Sequence, residues 1–196
     1  MEAVGKSASS FDFFIKVRDR WVSYIDTSAI IPQQFFRSIS EGKYKKIETT
    51  YYNHKKGTLR VEDKKRKIDK PYKVPTNVQD LVSGFYYIRN LNMSKLAKND
   101  TINIPAFLED EIYDLELVYR GKGQVKTRLG KFNALKFTPI MPDNSLFDGE
   151  ESVRVWISDD KNKIPLKIEA DMFIGAVELD LDKASGLRYK LNRVKS

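Results

Sequence analysis

The chain contains no cysteine. Disulfides, thiolate metal sites and cysteine nucleophiles are therefore excluded, while the compartment stays open, because an exported domain of this size folds without disulfides. A single histidine, His54, sits in the polar stretch "NHKKG". One imidazole excludes most zinc sites and histidine proton relays, and His54 is expected to be a solvated loop or strand-end side chain. No apolar run approaches the ~20 residues a bilayer-spanning helix needs. The opening "MEAVGKSASSFDFFIKV" also lacks the charged region and ~7–15 apolar residues of a secretory signal. No Ser or Thr stands in a nucleophile-elbow pattern, and no Gly-rich phosphate loop opens a helix. No cofactor is called for.

What is present favours a folded chain: 196 residues with 41% hydrophobic content, taken as one domain over 1–196. The net charge of +8 is concentrated. Between Arg37 and Lys73 thirteen Lys and Arg face five acids, an excess of eight that equals the whole chain's. Any attraction for phosphates or anionic lipid is therefore expected from segment 37–73.

Strict alternation of apolar and polar residues is the commonest pattern, and it predicts half-buried antiparallel strands. Ile164, Leu166, Ile168 and Ala170 share one face, as do Val153, Val155 and Ile157. Phe11, Phe13, Ile15 and Val17 form another such set, with Trp21 to Ile25 continuing extended, and Phe173, Gly175, Val177, Leu179 and Leu181 a last one. Hairpin turns are expected at Glu41-Gly42, near Lys55 to Gly57, at "RGKG" (Arg120 to Gly123) and at Gly130-Lys131. One segment changes period: Val78, Leu81, Val82, Phe85 and Ile88 recur at helical spacing. They predict one amphipathic helix of about four turns, capped by Thr76 or Asn77, with Asp80 in its first turn and Gly84 at a close packing contact. The fold class is mainly β: a curved antiparallel sheet or open barrel, wet on one side, with the helix packed across it.

Three constellations carry candidate chemistry. Asp159 and Asp160 in "SDDKNK" lie between two alternating runs, and a turn closed by their side chains explains every residue there. A calcium loop would need more oxygen ligands and a glycine at the bend. Glu109, Asp110, Glu111 and Asp114 form an acidic cluster that reads as a solvated loop; Glu109, Glu111 and Asp114 are the candidates for a glycan hydrolase's carboxylate pair. Tyr44, Tyr51, Tyr52 and Tyr72 interleave with lysines, a pattern that could stack bases along a nucleic acid. Lysines also blunt sheet edges, and no nucleic-acid module accompanies the charge, so no nucleic-acid partner is expected.

The phrase "VWISDDKNKIPLKIEADMFIGAVELDL", followed by "GLRY", resembles the end of domain-of-unknown-function family 3108. "FDFFIKVRDRWVSYID", "VPTNVQDLVSGFYYIRNL" and "LGKFNALKFTPI" are similar to the same family, in order along nearly the whole chain. The resemblance implies a bacterial envelope protein, periplasmic in location. It also implies an export signal and further strands before Ala3 to Lys6, so this chain is expected to be N-terminally shortened. It supplies no catalytic residues. The expected role is non-enzymatic binding of a lipid, lipoprotein or envelope polysaccharide. Trp21, Phe85 and Tyr86 are the candidate apolar contacts, and Lys64, Lys65, Arg66 and Lys67 the candidate contacts for anionic groups.

Overall fold

The computed structural model describes residues 1–6, 16–140, 151–171 and 176–194. The alternation of Phe11, Phe13 and Ile15, and the Phe173 end of the last apolar set, lie outside the described residues. The chain is mainly β and antiparallel, and its strands fall into two six-stranded sheets. The first runs β1 (Glu2–Lys6), β2 (Arg18–Asp26), β3 (Ile31–Glu41), β4 (Tyr44–Asn53), β5 (Thr58–Asp63) and β6 (Ile68–Lys73), in chain order. The second contains β7 (Thr101–Leu108), β8 (Glu111–Thr127), β9 (Gly130–Pro139), β10 (Val153–Ser158), β11 (Pro165–Asp171) and β12 (Ala176–Asp180), again sequential. Neither order returns on itself to close a barrel. The chain divides into two compact units, Met1–Ile88 with Pro105–Tyr113, and Arg89–Ile104 with Asp114–Ser196.

In the first unit the expected turns form. β3 passes to β4 at Gly42, which adopts φ 56°, and β4 passes to β5 through 54–57, where Gly57 has φ 59°. Both values lie in the left-handed region that glycine adopts without a Cβ penalty. One face of this sheet is covered. Phe35, Tyr52, Leu59 and Val61 from the strands form a buried cluster with Val74, Val78, Val82 and Phe107.

The helix, α1 (Leu81–Asn90), is shorter than the apolar spacing predicts. Its cap is Asp80, not Thr76 or Asn77: the Asp80 carboxylate accepts from the backbone N–H groups of Val82 and Ser83, both at 2.8 Å, and the Ser83 hydroxyl accepts from the Asp80 N–H at 2.9 Å. This reciprocal arrangement satisfies donors that a helix start leaves open. The preceding turn is diverted into a parallel bridge, Gln79 to Ala106, in which the Gln79 N–H donates to Pro105 and the Phe107 N–H donates to Gln79. Gly84 makes no close contact. A Cβ there would meet only the Gln79 Cβ, at 3.9 Å.

In the second unit the predicted hairpin at Arg120 to Gly123 does not occur. β8 runs unbroken through these residues and pairs with β9, with a register shift between Tyr119 and Gly121. Gly121 has φ 107°, so the glycines serve a bulge, which bends a strand without reversing it. The reversal comes at Arg128-Leu129, just before the expected Gly130-Lys131. Val125, Phe132, Ala134, Ile164 and Leu166 make the buried cluster, with Trp156, Leu181, Leu187 and Leu191 packed against it.

The turn at Asp159-Asp160 forms as predicted, and it does more than reverse the chain. One Asp160 oxygen accepts from the Ser158 hydroxyl and the Asn162 and Lys163 N–H groups, while the other accepts from the Asn192 N–H at 2.9 Å. Asn162, 4% exposed, exchanges two bonds with the Tyr189 backbone. The turn thus holds the C-terminal segment against the sheet.

Candidate functional site

The covered face of the first sheet is apolar at one end and charged at the other. Cross-strand register aligns Trp21 with Arg37 and Arg37 with Glu48, so the three side chains share a face. Along β4 the usual alternation is inverted: Lys46 and Glu48 are 7% and 3% exposed, while Ile47 between them is 54% exposed. Buried charges are costly unless paired, and these are. The Arg37 guanidinium donates to Glu48 and to Glu109. The Lys46 ammonium lies 2.9 Å from Glu48 and 3.6 Å from Glu109. Arg66 donates to Glu48 and to Asp63.

The electrostatics follow from the pairing. Burial disfavours the charged Arg37, but the Glu48 and Glu109 carboxylates outweigh it and hold its pKa above the ordinary arginine value. Burial likewise opposes ionisation of Asp63, and bonds from the Arg66 backbone and guanidinium reverse that effect, leaving its pKa lowered.

Between this network and the apolar cluster lies a cavity of about 50 Å³, walled by Trp21, Phe35, Leu81 and Phe107 with Arg37, Glu48, Glu109 and Asp110 at its polar side. Side chains of the buried cluster fill most of the covered face. The space left is far below the ~300–1,000 Å³ of a typical small-molecule pocket. It suits the end of a ligand, a polar group and a few carbons.

Of the residues singled out from the sequence, Trp21 lines this cavity and Arg66 joins the network at its charged end. Phe85 and Tyr86 do not line it; Leu81, one turn before Phe85 on α1, does. Lys64, Lys65 and Lys67 are exposed in the turn between β5 and β6. The acidic cluster does not gather. Glu109 reaches the cavity, Glu111 accepts from the Tyr113 hydroxyl at 2.7 Å, and Asp114 accepts from Asn103 in the second unit. Of the thirteen cations in segment 37–73, nine lysines (Lys43, Lys45, Lys55, Lys56, Lys64, Lys65, Lys67, Lys70 and Lys73) are exposed. His54 is half-buried in its turn, with Nε2 2.6 Å from the Pro32 carbonyl, Nδ1 against that of Thr76, and its ring stacked on Tyr52. Sequence pattern missed Arg37, Lys46 and Glu48. Their one signal is the local inversion, an isoleucine flanked by charges in "KKIET".

The second unit has its own cleft of about 260 Å³, lined by Met93, Tyr119, Leu135, Lys122, Asp159 and Lys163 among others. Its charges are already satisfied: Lys122 pairs with Asp159 at 2.9 Å, and the Lys163 ammonium donates to the Leu91 carbonyl. Among the described residues no three His, Asp or Glu side chains gather as metal ligands, and no helix is long and apolar enough to cross a membrane.

Comparison with curated proteins and with solved structures finds no match. A family model, described as protein of unknown function (DUF3108), matches residues 1–182. The chain belongs to the DUF3108 family.

Proposed function

We propose that the chain is a non-enzymatic, periplasmic protein of the bacterial envelope whose first unit binds a lipid or lipid-bearing envelope component. The observation that carries this reading is the cavity of about 50 Å³ with an apolar wall on one side and, on the other, the buried Arg37 guanidinium among the carboxylates of Glu48, Glu109 and Asp110. A site so divided suits an amphiphile, whose polar end meets Arg37 and whose first carbons meet Trp21, Phe35 and Phe107. Leu81, 45% exposed at the cavity's edge, offers apolar surface for the carbons that do not fit. The exposed lysines of segment 37–73 support approach to anionic lipid. A lipid fits the divided wall better than a polysaccharide, which would need a broad polar groove.

The test is native mass spectrometry of the protein purified from the periplasm of a Gram-negative host, followed by lipid extraction of the same sample. A stoichiometric adduct of lipid mass, recovered in the extract and lost on Trp21→Ala, is the expected result. A clean apo mass from material never exposed to detergent would refute the reading.

A further inference from the structure

The hairpin tip joining β7 to β8 is unusual in its backbone. Glu109 and Asp110 adopt φ 46° and 68°, consecutive left-handed values that Asn and Gly adopt at least cost. Asp110 is tolerated in such a turn but Glu109 is not a residue it favours, and the turn places Glu109 against Arg37 and Lys46. The burial is lopsided: the Glu109 side chain is 73% exposed, while those of Arg37 and Lys46 are 9% and 8% exposed. The cations are fixed in the sheet and Glu48 stays with them. Glu109 is the most exposed member of the network, ahead of Arg66 at 44%, and the carboxylate that can leave into water without uncovering the core.

Charge decides what its departure would admit. Arg37, Lys46 and Arg66 stand against Glu48, Asp63 and Glu109, so the network is neutral with Glu109 in place. Withdrawing Glu109 removes one negative charge from these six groups, with Asp110 still at the cavity, and frees a guanidinium whose planar fork matches a carboxylate. The cavity beside it is walled by Trp21, Phe35 and Phe107. We infer that Glu109 is an internal stand-in for the carboxylate of an acyl-chain acid, and that binding exchanges one carboxylate for the other at Arg37 and Lys46. This rests on the amphiphile reading above and adds the head group and the gate. A monoanion restores neutrality; a phosphate dianion overshoots by one.

The test compares the wild-type chain with Glu109→Asn, which tolerates the left-handed turn while removing the charge, by calorimetric titration with decanoate, 1-decanol and decyl phosphate. Decanoate should bind Glu109→Asn at least about tenfold more tightly than wild type, ~1.4 kcal/mol, with decanol affinity nearly unchanged. Equal decanoate affinity in the two proteins overturns the exchange, as does a preference for decyl phosphate. Decanol binding without decanoate binding overturns the carboxylate site and leaves the amphiphile reading standing. Failure of all three ligands on both proteins removes both. Should Glu109→Asn be unstable, Glu109→Gln serves as the second variant with the same expectation.

Discussion

Asp80 is the position where one side chain ties sheet to helix, and its substitution separates two contributions. Its carboxylate, 2% exposed, accepts from Val82 and Ser83 at the helix start and from the Ser23 hydroxyl of β2 at 2.7 Å. Asp80→Ala loses the cap, ~0.5–2 kcal/mol, and strands the buried Ser23 hydroxyl, ~1–3 kcal/mol. The expected destabilisation of the first unit is therefore about 2–4 kcal/mol. Asp80→Asn keeps the cap through its carbonyl oxygen, and its amide can donate to Ser23. Burial raises the Asp80 pKa, and the bonds from Ser83, Ser23 and Val82 offset that only in part. Between the unfolded value of ~3.9 and the raised folded value, the native state holds more proton than the unfolded one. Stability from this group therefore falls as pH rises through that window and stays lower above it. Asp80→Asn should lack that decline and equal or exceed wild type at neutral pH. The assay is urea unfolding followed by Trp21 fluorescence in a Trp156→Phe background, since the chain's two tryptophans fall one in each unit. Loss of less than ~0.5 kcal/mol in Asp80→Ala, the level of an ordinary surface change, would refute the reasoning. So would an Asp80→Asn variant as unstable as Asp80→Ala.

The other predictions concern the network, the helix and the C-terminal segment. Glu48→Gln removes the carboxylate shared by Arg37, Lys46 and Arg66, and should cost about 3–5 kcal/mol in the same urea assay, as breaking a buried ion pair does. Gly84→Ala should stabilise the first unit by up to ~1 kcal/mol, because the site is helical and a Cβ meets nothing closer than 3.9 Å; a loss would reveal a contact the geometry does not contain. Asp160→Ala should speed amide exchange at Asn192 and Tyr189, and over the segment between them, with smaller effect in β9, since Asp160 anchors Asn192 directly.

Much of the fold was legible because it follows from local rules. Alternation located the strands, Gly42 and Gly57 marked their turns, and "SDDKNK" announced a side-chain-closed reversal. The misreadings have physical causes. Gly121 and Gly123 looked like a turn because glycine marks bulges and turns alike, and only pairing with β9 distinguishes them. The helical spacing takes in Val78 because it is apolar, but Val78 is fully buried, at 0% exposure, for a different reason: it belongs to a segment bridged to Ala106. The candidate site was the least legible part. It depends on Lys46 and Glu48 facing inward and Ile47 outward, against the rule that assigns faces from hydropathy. Glu109 completes it, 72 residues from Arg37 in sequence, by the geometry of a left-handed turn, which no spacing rule encodes. Trp21, Arg66 and Glu109 are named from sequence, but as an aromatic in an extended run, a basic-turn residue and a hydrolase candidate, not as one constellation.

The central claim is that ligand binds in the first unit, beside Trp21. The most direct measurement is the nitrogen–proton correlation spectrum of the two indole groups during titration with decanol and decanoate. The Trp21 indole signal is expected to shift saturably while that of Trp156, in the second unit, stays in place. Movement of Trp156 with a stationary Trp21, or two stationary signals at millimolar ligand, would contradict it.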